Sequence, residues 1–335
     1  MSTAPRVLIT GAAGYVGRQL ATALAERVST GEFGAVVGTD VREWEAASRP
    51  AALEWVTRDV REPGLEAVLQ LHNIDVVVHL AAIVTPGPKS TRDFEYSVDV
   101  GGTRAVLDAC IAAGVRRVVV TSSGAAYGYY GDHPEWISED APIRGNREFA
   151  YAHHKRLVEE MLAAERVVHP ALEQVVLRVT AVLGETVNNQ ITALFQRPRL
   201  LALTGSSSPF TFIHDTDLVA VLVRAVTSPA TGVFNVAGDG ALTIDEIAVL
   251  LGKPVLRIPP WLLAAALTVA RPFGLTRYGP EQVMFLRWRP VLSNRRLKEG
   301  FGYVPRFSSR NALLAWRDRA GRGERSEHRG QDGQR

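Results

Sequence analysis

Tyr151-Ala-His-His-Lys155 sets a phenol and an ammonium four residues apart, which on a helix places them on one face, one turn from each other. A phenol, with a solution pKa of about 10, is a poor base at neutral pH, but a fixed ammonium beside it favours the phenolate. The pair therefore suits transfer of a proton to or from a hydroxyl. With eight tyrosines and four lysines in 335 residues, chance supplies such a spacing roughly 0.1 times. A solvated lysine beside a half-buried tyrosine explains it poorly. His153 and His154, between the two, are expected at the surface, because the active face passes through 151 and 155.

A second hydroxyl belongs with them. Thr121-Ser122-Ser123-Gly-Ala-Ala-Tyr127-Gly128 follows the apolar run that begins at Val115. A hydroxyl at the end of that run can hydrogen-bond a substrate oxygen and share its proton with Tyr151. Ser123 is the candidate. Without such neighbours, a single serine there would be read as satisfying turn backbone.

These groups need a scaffold and a redox or acid-base partner, and the start of the chain supplies both. Val7-Leu-Ile-Thr-Gly11-Ala-Ala-Gly14-Tyr-Val-Gly17 reads as a buried strand, a glycine-rich turn and the opening of a helix near Gly14 to Val28. Gly11, Gly14 and Gly17 permit a tight turn, close approach of backbone to a pyrophosphate, and close packing of helix on strand. The free N–H groups and positive dipole end of the helix then face that anion. A second strand, Ala35 to Asp40, ends in a carboxylate about twenty residues on, where an acid accepts the ribose hydroxyls of a dinucleotide. Asp40 thus favours NAD over NADP, whose 2′-phosphate it repels, and Arg42 is the residue that admits NADP by pairing that phosphate. With a nicotinamide present, Tyr151 takes a hydroxyl proton as hydride leaves its carbon, and Lys155 also holds the nicotinamide ribose.

Further strands are expected at Leu53 to Thr57, Ile74 to His79, Val115 to Ser122 and Val175 to Val179, with helices near Thr91 to Ala113 and Ala150 to Val168. Strand and helix alternate, which argues an α/β fold: a doubly wound parallel sheet with helices on both faces and ligands at the carboxyl ends of the strands. Beyond Val179 the regularity fades. Residues 180–209 are rich in turn formers, whereas Phe212 to Val226 and Gly232 to Ala237 are expected to rejoin the first lobe. The expected division is a dinucleotide-binding domain of residues 1–180 and 210–240, and a smaller, mostly helical substrate lobe of residues 181–209 and 241–317. Residues 318–335 hold no Val, Ile, Leu, Phe, Met, Trp or Tyr and are expected to form a disordered tail.

Composition excludes several classes. A net charge of +3 with dispersed basic residues gives no footprint for nucleic acid or an anionic membrane. The single cysteine, Cys110, excludes an internal disulfide or a cysteine-rich metal site, fits a reducing compartment and is expected to be a buried thiol. Met1 to Arg6 lacks the blocks of a signal peptide, so a cytoplasmic protein is expected. Trp261 to Ala270 is too short for a membrane span and is expected to be a core or interface helix.

With these pieces in place the chain resembles an extended short-chain dehydrogenase/reductase of the NAD-dependent epimerase/dehydratase family, over nearly all of residues 5–317. The resemblance rests on Thr10 to Gly17, Asp40, Asp59-Val60, His79-Leu-Ala-Ala82, Ser123, Tyr127, Tyr151 to Lys155, Leu177-Arg178 and Phe212-Ile-His-Asp215. It is most similar to the UDP-glucose 4-epimerase-like subgroup, through Asp140 to Gly145 and Glu148 to Tyr151. It implies that Gly11, Gly14, Tyr15, Val16 and Gly17 cradle the pyrophosphate, Asp59 and Val60 the adenine, and Leu80, Ala81 and Ala82 the central ribose. Ser123, Tyr151 and Lys155 are then catalytic, no metal is required, and a homodimer forms through the helices near 91–113 and 150–168.

Three departures matter. The family's Asn-Val-x-Gly-Thr becomes Asp99-Val-Gly-Gly-Thr103, so Asp99 needs a partner. The acid that dehydratases carry after the catalytic hydroxyl is replaced by Gly124 and Ala125. Ala181 and Phe210 stand where the resemblance leads one to expect Asn and Arg partners for a nucleotide diphosphate. Arg197, Arg199, Arg287 and Arg289 could replace them, though each is expected on a solvated face. The leading expectation is an NAD-dependent epimerase or dehydrogenase acting on a secondary alcohol of a small-molecule substrate, a nucleotide-linked sugar; the missing Asn and Arg partners predict weak or no activity on UDP-glucose itself and place a modified or differently carried sugar first. The alternatives are a hydroxysteroid-dehydrogenase-like enzyme acting on an apolar alcohol and a non-catalytic NAD(P)-binding module.

Overall fold

The computed structural model describes residues 4–87, 89–276 and 279–318. The first half of the chain lays down β1 (Arg6–Thr10), α1 (Tyr15–Ala25), β2 (Ala35–Asp40), β3 (Leu53–Thr57), α2 (Leu65–Leu71), β4 (Val76–His79), α3 (Arg92–Tyr96), α4 (Gly102–Ala113), β5 (Arg117–Ser123), α5 (Ala150–Val168) and β6 (Glu173–Val179). After it come β7 (Ala181–Leu183), α6 (Gln190–Gln196), β8 (Leu200–Leu203), β9 (Phe212–His214), α7 (Asp215–Thr227), β10 (Gly232–Val236), α8 (Ile244–Leu251), β11 (Val255–Ile258), α9 (Pro260–Ala270) and α10 (Gln282–Arg287).

Seven strands form one parallel sheet in the order β10-β6-β5-β4-β1-β2-β3. The order reverses between β1 and β4, so their carboxyl ends splay apart and open the crevice in which such folds bind ligands. Both faces are covered. Val7 and Ile9 of β1 point into one core with Leu20, Leu24, Val221 and Leu222, while Leu8 points into the other with Leu107, Cys110, Val158 and Leu162. That two-sided burial is why these strands read as unbroken apolar runs rather than as alternating ones. Cys110 is buried, as expected.

A third core lies apart from these two, where Phe195, Leu200, Phe212, Ile247 and Leu313 pack together. We propose that it is the centre of the smaller lobe. Here the chain is more regular than its turn-rich composition suggests, because short elements support each other: β8 pairs with β11, and Asn189 caps α6 reciprocally with Thr192. β10 joins the edge of the large sheet as expected, but β9 pairs with β7 in a separate ribbon. The helix expected over 91–113 is broken by a π turn at Ser97–Gly101. α9 is not a core helix: none of its residues is buried. Hydropathy alone does not separate an apolar helix in a core from one between a cavity and solvent. Residues 309–318 are helical, so Asp318 belongs to a helix, and the rest of the expected tail lies outside the described residues. Among the described residues no helix is long and apolar enough to cross a membrane.

Candidate active site

The glycine turn after β1 is held where only glycine fits. Gly11 has φ of +69°, and a Cβ there would lie 2.7 Å from the Ala81 amide nitrogen; at Gly17 a Cβ would lie 2.3 Å from the Gly11 carbonyl oxygen. The turn therefore folds beneath α1 and abuts the Leu80-Ala81-Ala82 backbone that follows β4. With Gly14 as N-cap, α1 begins without a side-chain cap, so its first N–H groups stay available to an anion. The residues present fit a dinucleotide. A Gly11→Ala variant is expected to bind NAD at least about tenfold more weakly, since both the positive φ and the contact with Ala81 oppose a side chain; calorimetric titration checks it.

Asp40 is buried at the end of β2. Its carboxylate accepts the Ala13 N–H at 3.1 Å, and the Arg42 N–H and Nε at 3.0 and 3.2 Å. Arg42 itself is largely exposed, so the residue expected to admit a 2′-phosphate stands beside the one expected to exclude it. Asp59 is gripped by Arg61, with 2.6 Å between Oδ2 and the guanidinium, and that pairing holds its carboxyl below the usual carboxylate range. Val60 packs under Gly102, where a Cβ would meet it at 2.9 Å. The Tyr15 hydroxyl donates to Asp215 Oδ2 at 2.5 Å, joining the glycine turn to the start of α7. Burial, then that bond, pushes the Tyr15 phenol up. Val16, Leu80 and Ala82 line the cavity described next.

At the carboxyl end of β5 neighbouring serines have different partners. Ser122 donates to Glu159, which is itself clamped by Arg178 at 2.6 Å, and all three are buried. Ser123 accepts the Ala125 N–H at 3.1 Å, and among the described residues no acceptor takes its own proton. α5 brings Tyr151 and Lys155 alongside. The Lys155 ammonium donates to the Thr121 carbonyl at 2.9 Å and lies 5.6 Å from the centre of the Tyr151 ring. Ser123, Tyr151 and Lys155 line one cavity of about 330 Å³ with Thr121, Val16 and Ala82. Among the described residues nothing bonds the Tyr151 hydroxyl, which leaves both Ser123 and Tyr151 able to meet a ligand oxygen.

The expectation for His154 is overturned. It is 1% exposed, and its Nδ1 lies 3.0 Å from Asp99 Oδ2. The other Asp99 oxygen accepts the Ile83 N–H at 2.8 Å. Asp99 sits on the π turn, which swings its side chain between α5 and the segment after β4. Helical periodicity put His154 off the active face correctly, but the opposite side of α5 faces the π turn rather than water. The carboxylate that replaces the family's amide thus has its partner one residue before Lys155.

Arg289 also departs from expectation. It is half-buried, with its guanidinium 3.8 Å above the Phe210 ring and 4.9 Å from that of Phe285, and it donates to Ser208 Oγ at 2.6 Å. Phe210 therefore forms a shelf for an arginine arriving from elsewhere in the chain. Arg197 and Arg199 are exposed, as expected, while Arg287 lies over Trp288. Arg289, Phe210 and Phe285 line the reaction cavity and also a larger one, of about 860 Å³, between α6, β8, α9 and α10. Tyr129, buried against Phe149 and Phe285 and facing both Tyr151 and Arg289, has its phenol pushed up by burial. Tyr129 and Phe285 lie in stretches without periodicity, and no spacing signal in the sequence marks them.

A likeness to known proteins accords with this geometry. The chain is 25% identical over 309 residues to an uncharacterized protein of Mycobacterium tuberculosis, covering 92% of this chain and 82% of that one. It is 30% identical over 265 residues to an uncharacterized protein of Sinorhizobium fredii, covering 74% and 72%. Among solved structures it is similar to a UDP-glucose 4-epimerase of Thermotoga maritima with UDP-glucose, with a TM-score of 0.70 at 18% identity over 95% of this chain and 99% of that one. It also matches a dTDP-glucose 4,6-dehydratase of Bacillus anthracis in complex with NAD, with a TM-score of 0.72 at 17% identity over 96% and 98%. These structures share the fold. Residues 7–237 match the model of the NAD dependent epimerase/dehydratase family, and the chain belongs to that family.

Proposed function

We propose that the protein is an NAD-dependent epimerase or dehydrogenase that moves a hydride between nicotinamide and a secondary alcohol or ketone carbon, the substrate being a sugar carried on an anionic group. The observation that carries this reading is the convergence of Ser123, Tyr151 and Lys155 on one cavity beside the glycine turn. NAD, which the glycine turn at Gly11 to Gly17 and Asp40 would hold, would supply the hydride-accepting chemistry. Ser123 donates to the substrate oxygen. Tyr151 takes the hydroxyl proton, and Lys155, fixed by the Thr121 carbonyl, holds a positive charge 5.6 Å from the Tyr151 ring.

A dehydratase is disfavoured by the missing acid: Gly124 and Ala125 line the reaction cavity next to Ser123 and present no carboxylate to the substrate there. The second reading, an apolar alcohol as substrate, is favoured by the apolar lining of the larger cavity.

Native mass spectrometry of the purified full chain separates the two chemistries of the first reading. Tightly retained NAD supports a closed epimerase cycle, and freely exchanging cofactor supports net oxidation or reduction. On cofactor choice, the buried Asp40 carboxylate should make NAD bind more tightly than NADP. Titration of both cofactors checks it, and tighter NADP would show that Arg42 turns from Asp40 to the phosphate.

A further inference from the structure

The chamber beyond Arg289 differs in character from the reaction cavity. Thr85, Asn189, Gln190, Phe210, Phe285 and Arg289 line both, so the two cavities adjoin along these residues. Apart from Asn188, Arg197, Arg199 and Gln282, every residue that lines the chamber alone is apolar. Phe195, Leu200 and Leu256 stand on one side, and Leu263 and Leu267 of α9 on another. α9 carries no charged side chain along its length, and its other face leaves Trp261, Leu262 and Val269 exposed. A chamber of this volume and lining is within the range of small-molecule sites, and its walls gain most from hydrocarbon.

At the junction stands a cation in need of a charge. Among the described residues no carboxylate lies within ion-pairing distance of Arg289, and its Nε is buried without a hydrogen-bond partner. A guanidinium does not shed its proton to escape burial, so an uncompensated cation here favours binding of an anion. The nearest polar groups are partly committed: the Asn189 side chain caps α6 and donates to the Val182 carbonyl, which leaves it little to offer a nucleobase.

We propose that the carrier of the substrate is an alkyl phosphate rather than a nucleoside diphosphate: the hydroxyl-bearing sugar in the reaction cavity, its phosphate on Arg289, and a hydrocarbon chain in the chamber under α9. The proposal rests on the oxidoreductase reading above and names the carrier for that same site. The outer face of α9 gives a longer chain an apolar path out.

The test is calorimetric titration of the NAD-saturated full chain with ethyl, butyl, hexyl and octyl phosphate, with UDP and inorganic phosphate as comparators. Affinity is expected to rise about tenfold for every two methylenes, with octyl phosphate tighter than UDP. Arg289→Met should weaken the whole series by a similar factor of about ten, and Leu267→Gln should flatten its dependence on chain length. The wild-type series stands even where a variant fails to fold. Affinity independent of chain length, or UDP tighter than octyl phosphate, overturns the proposal. Because binding needs no turnover, a rising series in a protein that oxidises no alcohol would sink the oxidoreductase reading and leave the chamber assignment intact.

Discussion

Replacing Tyr151 by Phe is expected to lower turnover at least about a hundredfold while NAD remains bound. The substitution keeps the ring that packs beside Tyr129 and Phe285 and removes only the hydroxyl, which has no protein partner among the described residues. Structure should therefore be nearly unchanged, and the loss reads the chemistry. General acid-base groups of this kind contribute on the order of 10²–10⁴ in rate. Lys155→Ala should damage turnover and NAD affinity together, because one ammonium, held on the Thr121 carbonyl, is proposed to serve both. Steady-state kinetics with a parallel NAD titration separates the two effects. Full turnover in Tyr151→Phe would remove that residue from the mechanism.

The second large effect is expected from His154→Ala, and it should be mainly one of stability. The substitution leaves the Asp99 carboxylate, 3% exposed, with the Ile83 N–H as its remaining bond. Removing one partner of a buried hydrogen bond costs about 1–3 kcal/mol, and more where the group left behind is a carboxylate. Adding Asp99→Asn removes that charge and retains an oxygen for the Ile83 N–H, so the double variant should be more stable than His154→Ala alone. Urea unfolding of the two single variants and the double measures the coupling. A cost under about 0.5 kcal/mol for His154→Ala, the range of a neutral surface change, would show that Asp99 does not depend on it. Since Ile83 follows the Leu80 to Ala82 wall and His154 precedes Lys155, weaker NAD binding should accompany the loss.

Much of this was legible in the sequence for physical reasons. The parallel sheet showed because strands buried on both faces leave unbroken apolar runs, and the glycine turn because Gly11 and Gly17 occupy places that no side chain can enter. The Tyr151 and Lys155 spacing showed because an i, i+4 relation is local. What escaped was long-range. His154 is buried by a π turn more than fifty residues away, and hydrophobic periodicity gives no sign of where a helix loses its regular register. Arg289 reaches Phe210 across the fold, so the ring that stands where the resemblance leads one to expect an arginine carries an arginine from elsewhere in the chain. Of the two readings of α9, core or interface, the core one fails because its apolar side chains face a chamber and solvent, and hydropathy does not report what lies opposite.

The central claim is that this chain oxidises a secondary alcohol with NAD through Tyr151, and rapid-mixing absorbance of the nicotinamide tests it most directly. NAD-saturated wild-type protein would be mixed with UDP-glucose and UDP-galactose, with alkyl phosphosugars, and with a panel of steroid and polyketide alcohols. The account predicts nicotinamide reduction, transient or net, with at least one class, weak or none with the two UDP-sugars, and about a hundredfold slower in Tyr151→Phe. Saturated, correctly folded protein that reduces no nicotinamide with any class, or that does so equally well without the Tyr151 hydroxyl, would contradict it.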